Sequence, residues 1–295
     1  MKHIVLSIMM LSAIFSGCSD DITDAVITTG AEPKTNITYY YLCVGMENSK
    51  RFGACPGCEQ DAQRMQSLLK DKYGYNGDIL ISEEATKSAV VGKLKKAVDL
   101  MPPNGLLLFC YSGHGGQEWL GGKEPDGSDR EDEFLCLYDT YMLDDEIWDI
   151  VSKCKGRVFL YFDACHSATM YRSVAAEVRQ ARGEAVALDS GFVKTKGFNF
   201  RIEDYLPAEA MSSDSTRAAV PRILCWSGCK ETEYSYGGYN GGVMTRNLIH
   251  RWTPGISYAS LWDLVVSGVQ REQPTQHPVQ TRMGAGFADG TEAFR

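Results

Sequence analysis

Residues 106–116 read Leu-Leu-Leu-Phe-Cys-Tyr-Ser-Gly-His-Gly-Gly, and residues 158–167 read Val-Phe-Leu-Tyr-Phe-Asp-Ala-Cys-His-Ser. Each begins as a continuous apolar run, not an alternating one, which is the pattern of a strand covered by helices on both faces. Ile37–Val44 reads as another strand, and Cys58, Ala62, Met65, Leu68 and Leu69 then recur at helical spacing as far as Tyr73, where Gly74 ends the helix. Asp78–Ile81 is a short strand. Val90, Leu94, Ala97, Val98 and Met101 form a second helical stripe, stopped by Pro102-Pro103-Asn104-Gly105. Beyond the second quoted run come a strand at Arg222–Trp226, helices near Gly242–Trp252 and Tyr258–Val269, and a last strand around Val279–Met283. Strands alternating with helices predict an α/β fold: an αβα sandwich around a mostly parallel six-stranded sheet, occupying residues 37–285 as one domain.

The chain has 295 residues, 44% hydrophobic and 23% charged, enough to bury a large core, which excludes disorder. Its formal net charge of −8 offers no general attraction for a polyanion, so no nucleic acid partner is expected. Ten cysteines, scattered without regular spacing, do not make a disulfide framework and leave thiols for chemistry.

In an open α/β sheet the site lies where loops leave the carboxyl ends of the strands. Two of these exits carry reactive groups. One places His114 among glycines that let a substrate backbone approach closely, and the other presents Asp163, Ala164 and Cys165, with His166 beside the thiol as a competing base. Imidazole and thiol, 51 residues apart (114 to 165), can then face one cleft as acid/base and nucleophile.

Tyr111-Ser112-Gly113-His114-Gly115 together with Asp163-Ala164-Cys165-His166-Ser167 resembles the metacaspases and bacterial caspase-like peptidases. The likeness extends to Gly57-Cys58-Glu59-Gln60-Asp61-Ala62 and to Asp144-Asp145-Glu146, in the same order along the chain. It implies a caspase-like sandwich in three parts: 37–169, a variable linker 170–221, and 222–285. By this resemblance Cys165 is the nucleophile and His114 the general acid/base, and the backbone N–H groups of Gly115 and Cys165 are candidate oxyanion donors. No cofactor is then required for the chemistry.

Asp163 precedes Cys165 by two residues, so near a strand end both side chains leave on one face and a carboxylate stands beside the nucleophile. Such an acid repels an acidic P1 residue and matches Arg or Lys. The family resemblance adds Asp61 to this pocket, with Cys58 and Ser112 as neighbours and Trp226 and Ser227 along the substrate groove, where residues 226–228 would take an extended peptide as an added strand. The expected partners are polypeptides cleaved after Arg or Lys. Self-cleavage within 170–221, which holds Arg172, Arg179 and Arg182, is part of the same expectation.

The segment Glu118–Asp149 holds 12 acidic residues and two basic ones. Hard oxygen ligands at this density suit Ca²⁺. The resemblance puts Asp129, Asp144 and Asp145 at ligand positions, but puts Arg172, a cation, at the fourth; the alternative is an acidic loop leading into a helix N-terminus. At the other end of the chain, Met1-Lys2-His3, the apolar run Ile4–Phe15 and Ser16-Gly17-Cys18 resemble a bacterial lipoprotein signal. Residues 1–17 would then be a signal peptide, Cys18 the lipidated residue and 18–36 a tether, placing the protein on a bacterial cell envelope, at the outer membrane or cell surface, with membrane contact through the lipid alone. Two readings compete with the enzyme: a catalytically silent peptide-binding module on the same fold, and a redox protein using Cys55 and Cys58.

Overall fold

A computed structural model of the chain describes residues 39–118, 132–165, 220–230 and 233–295, with the side chains of Gln117, Glu118, Asp132 and Cys165 outside the description. All the described residues fall in one unit, Asn36–Arg295. The central strands are β1 (Tyr39–Gly45), β2 (Asn76–Ile81), β3 (Leu106–Glu118), β6 (Arg157–Cys165), β7 (Arg222–Ser227) and β8 (Val279–Met283). They lie in the order β2-β1-β3-β6-β7-β8. Every pairing along this path is parallel except β7 with β8. The six-stranded, mostly parallel sheet read from the apolar runs is therefore the observed one.

The two faces of the sheet are covered by different helices, and β6 shows how one strand serves both. Val158, Leu160, Phe162 and Ala164 pack with α2 (Lys87–Leu100) and α3 (Asp144–Val151). Phe159 and Tyr161 pack with α1 (Cys58–Ser67), α4 (Val243–Arg251) and α5 (Tyr258–Glu272). This double burial is why the strand sequences do not alternate. Side-chain caps start two of the helices: Thr86 Oγ1 accepts from Ala89 N at 3.3 Å, and Ser257 Oγ accepts from Ser260 N at 3.2 Å. α1 runs on through a π-turn, Leu68–Lys72, and Gly74, at φ 69°, turns the chain away. Among the described residues no helix is long and apolar enough to cross a membrane.

The structure departs from the sequence reading in three places. β3 and β6 run on past their apolar stretches, through the glycines that flank His114 and through Asp163-Ala164-Cys165. A hairpin of β4 (Asp132–Cys136) and β5 (Tyr141–Leu143) pairs antiparallel with the far end of β3, adding two strands off the main path. The core also extends beyond 285. Phe287 and Phe294 are fully buried, Thr291 O accepts from Tyr258 N at 2.9 Å, and Tyr75 Oη donates to Phe294 O at 2.8 Å.

Candidate active site

The extension of β3 and β6 fixes the relation between the two reactive positions. Their parallel register runs from Leu106 opposite Arg157 to His114 opposite Cys165, the last pair of the ladder. Adjacent strands lie about 4.8 Å apart, so the α-carbons of imidazole and thiol are as close as neighbouring strands allow. His166 lies outside the described residues.

The strand that carries His114 is held by Tyr111. The Tyr111 hydroxyl lies 2.7 Å from His114 O and 2.6 Å from Cys136 O and shares its one proton between them, tying β3 to β4. A Cβ at position 113 would come within 2.3 Å of that hydroxyl, so glycine is required between the tyrosine and the histidine. The His114 ring is buried, and its Nε2 lies 3.2 Å from Ala54 O. A carbonyl only accepts, so Nε2 is the protonated nitrogen and, in the neutral ring, Nδ1 carries the lone pair. Ala54 in turn belongs to a strap anchored by Met46 N to Ser112 O at 2.8 Å, Cys55 N to Glu47 O at 2.8 Å and Gly57 N to Glu47 Oε2 at 3.1 Å.

Below this pair lie two carboxylates, each 1% exposed. Asp61, in the first turn of α1, accepts from Ser112 Oγ at 2.9 Å and from Gly242 N at 2.7 Å through Oδ2, with Arg64 Nη1 at 3.4 Å from Oδ1. Asp163 accepts from Ser235 Oγ at 2.9 Å on Oδ1, and from Thr245 N and Thr245 Oγ1, both at 2.8 Å, on Oδ2. Burial first, and then the negative charge of Asp163, push the Asp61 carboxyl up to about 8 against the opposing pull of its donors. The backbone closes tightly over both acids: a Cβ on Gly242 would lie 2.1 Å from Asp163 Oδ2, and one on Gly241 would lie 2.0 Å from Asp61 Oδ1.

Asp61, Asp163 and Ser112 thus converge, and Cys58 lies buried one helical turn before Asp61. Trp226 and Ser227 do not join them. The Trp226 indole is fully buried against Phe159, Tyr258 and Trp262 and donates to Gln280 Oε1 at 2.8 Å, so it is a core residue, not a substrate contact. Ser227 is the register partner of Phe162, one residue out of phase with Asp163, and its Oγ meets Cys225 Sγ at 3.7 Å. Nor is there an edge for an added strand at 226–227, because β6 and β8 flank β7 on both sides. Gly228 N is also bonded to Phe162 O at 2.8 Å.

Cys55 and Cys58 carry thiols, not a disulfide, and both are buried. Asp144 and Asp145 stand in the first turn of α3, where Glu146 Oε2 accepts from Leu143 N at 3.0 Å and its other oxygen pairs with Lys87 Nζ at 2.7 Å. Asp129 and Cys18 lie outside the described residues. No group of three or more His, Cys, Asp or Glu converges to hold a metal among the described residues. Two carboxylates at a helix start fall short of the roughly six to eight oxygens that Ca²⁺ takes, so the described donors do not by themselves fit the ion. The sequence reading missed Ala54, Arg64, Ser235, Gly242 and Thr245. Of these only Gly242, the second of two glycines directly before a helix, carried a visible signal.

A mostly parallel α/β sandwich with a histidine and a cysteine paired across its two central strand ends is the caspase fold. The chain belongs to the caspase-domain peptidase family, whose model, described as "Caspase domain", matches residues 40–285. Metacaspase-1 of Cryptococcus neoformans var. neoformans serotype D (strain B-3501A) is 25% identical over 301 residues, covering 82% of this chain and 64% of that protein. Metacaspase-1 of Pyricularia oryzae is 28% identical over 230 residues, covering 66% of this chain and 57% of that protein. The chain thus spans less than two thirds of the length of these relatives. A crystal structure of a Geobacter sulfurreducens protein superposes with a TM-score of 0.64 at 26% identity, covering 86% of this chain and 97% of that one. Caspase-1 from Spodoptera frugiperda gives a TM-score of 0.53 at 14% identity, covering 87% of this chain and 90% of its own, a likeness of fold alone.

Proposed function

We propose that the chain is a cysteine endopeptidase that cleaves after Arg or Lys. The observation that carries this reading is the pairing of His114 with Cys165 at the end of the β3–β6 ladder, beside two buried carboxylates. In the reaction, His114 Nδ1 takes the Cys165 thiol proton and the thiolate attacks the scissile carbonyl, forming a C–S bond. The protonated imidazole, held by Ala54 O, then gives that proton to the leaving amine as the C–N bond breaks. Water, deprotonated by the same nitrogen, cleaves the thioester and restores the thiol. The N–H groups of Gly115 and Cys165 are assigned to the developing oxyanion, a role in which losing one donor costs about 100-fold to 1000-fold in kcat.

Asp61 and Asp163 supply the charge preference. A buried acid pair that repels itself gains by receiving a guanidinium or ammonium, whereas an acidic P1 side chain would add a third negative charge. Fluorogenic peptides with Arg, Lys or Asp at P1 test the assignment, using Cys165→Ala and His114→Ala as controls. Hydrolysis of the Arg and Lys peptides that both substitutions abolish is the expected outcome. Turnover of the Asp peptide, or turnover surviving in Cys165→Ala, would overturn it. A peptide-binding module without catalysis would instead bind the Arg peptide and leave it intact.

Three further properties belong to the proposal. Self-cleavage in 170–221 is tested by incubating the wild type beside Cys165→Ala, and identical fragmentation refutes it. Calcium activation through Asp129, Asp144 and Asp145 is tested by titrating Ca²⁺ into chelator-treated protein. Lipid anchoring at Cys18 on a bacterial envelope is tested by labelled-palmitate incorporation, which Cys18→Ala should abolish.

A further inference from the structure

We propose that Gln276 is a positioning residue for the charge-recognition pocket, acting on Asp163 through the hydroxyl of Ser235. The proposal rests on the reading of Asp61 and Asp163 as the seat of a basic P1 side chain. Gln276 lies in the connection between α5 and β8, outside any helix or strand, and is nonetheless fully buried. A buried carboxamide is costly unless each of its groups finds a partner. Here each does. Nε2 donates to Gly228 O at 2.9 Å and to Ser235 Oγ at 3.0 Å, and Oε1 accepts from Tyr236 N at 3.0 Å.

These partners fix the amide's orientation, since the Gly228 carbonyl can only accept and the Tyr236 N–H can only donate. Ser235 Oγ therefore receives an N–H and has its single proton left to give. That proton goes to Asp163 Oδ1, at 2.9 Å. Gln276 thus decides that Ser235 is a donor toward the carboxylate. A Cβ on Gly228 would lie 2.5 Å from Ser235 Oγ and 3.3 Å from Asp163 Oδ1, so glycine at 228 is what leaves room for the serine hydroxyl beside the carboxylate. The adjoining His277 clips the same segment from outside: its N donates to Glu233 Oε2 at 2.9 Å, and its Nδ1 lies 2.8 Å from Glu233 Oε1.

A donated hydrogen bond favours the ionised carboxylate, and its loss favours the protonated one. Among the described residues, the titratable groups that face Asp163 include Asp61 from α1 and Tyr161 from its own strand, and Arg64 reaches Asp61 from the far side. With Ser235 no longer directed, the proton that the acid pair holds moves partly from Asp61 onto Asp163, so the total charge of the pair is unchanged but Asp163 presents less of it to the substrate. A purely structural role for Gln276 would lower activity at every pH. A role through Asp163 charge weakens cationic substrates most in mildly acidic solution, and raising the pH relieves it.

Two measurements on the full chain decide the matter. In the first, carbon-13 NMR follows the Asp163 carboxyl in Cys165→Ala protein, with the resonance assigned by Asp163→Asn. Gln276→Met and Ser235→Ala should each raise the Asp163 midpoint by about one pH unit. In the second, steady-state kinetics on a P1 Arg peptide should show KM raised about tenfold near pH 6.5 in Gln276→Met, narrowing toward wild type near pH 9, with kcat within about twofold. An unchanged Asp163 midpoint in the folded variants overturns the proposal, as does a loss of kcat that is the same at all pH values. Should Gln276→Met not fold, Ser235→Ala decides through the same midpoint. If the wild type cleaves no basic peptide, the peptidase reading fails, while the NMR titration still judges Gln276.

Discussion

Replacing Asp61 by asparagine should make the protein more stable, and increasingly so as the pH rises. The Asp61 carboxyl lies at about 8 in the folded chain against an ordinary 3.8, so folding favours its protonated form. The stability tied to that proton is fully present below the ordinary value and is lost as the pH rises through about 8. Asn has no proton to lose and retains an acceptor for Gly242 N, now bonded at 2.7 Å. Inside the window each pH unit costs the wild type about 1.4 kcal/mol relative to the amide, so two units, from about pH 5.5 to 7.5, amount to about 3 kcal/mol. Urea unfolding of Asp61→Asn and its parent, both in a Cys165→Ala background that prevents self-digestion, measures this difference directly at constant m. The advantage of the variant should grow across the window and level off above about pH 8. A difference that is flat with pH, or that shrinks as pH rises, would refute the inference that burial, and then the neighbouring Asp163 carboxylate, destabilise the charge on Asp61.

Gly242→Ala would place a methyl 2.1 Å from Asp163 Oδ2, and the three hydrogen bonds on that carboxylate leave it no easy escape. The kcat/KM for a P1 Arg peptide should fall by about 100-fold or more, read by steady-state hydrolysis beside a melting curve that confirms folding. Trp226→Ala should cost about 3–5 kcal/mol in urea unfolding, because the indole is fully buried in the core. Trp226→Phe, if folded, should leave KM for the peptide within about twofold, since the side chain does not reach the pocket. The double variant Asp144→Asn, Asp145→Asn removes two charges from the start of α3 and should lower stability by about 1 kcal/mol. The same variant should also lose the response to Ca²⁺ proposed for the wild type, and a retained response would leave the two acids as helix-start charges only.

How far the sequence spoke depended on what kind of physics set each feature. The parallel sheet was legible because strands buried on both faces must be apolar at every position, as Val158–Phe162 are. The ends of β3 and β6 were not. Gly113, Gly115 and Gly116 carry no strand propensity, and they are extended there because β6 and then β4 supply the ladder. The β4–β5 hairpin is short and embedded in an acidic segment, so no run of alternation announced it. Asp163 was readable from its spacing to Cys165 and Asp61 from the family resemblance, whereas their supports were not: Ala54 acts through a backbone carbonyl that any residue provides. Trp226 was misread because its neighbourhood in sequence borders the site while its side chain points one pleat deeper, into the core.

The most direct test asks whether the Cys165 sulfur is a nucleophile served by His114 and aimed at the carbonyl of a basic residue. An acyloxymethyl ketone bearing an arginine side chain alkylates such a thiol, and mass spectrometry of the digested protein locates the adduct. The expected result is stoichiometric label on Cys165 with the arginyl reagent, little with the aspartyl analogue, and at least about 100-fold slower labelling in His114→Ala. Label on Cys55 or Cys58 instead, equal reaction with the aspartyl reagent, or an undiminished rate without His114 would contradict it.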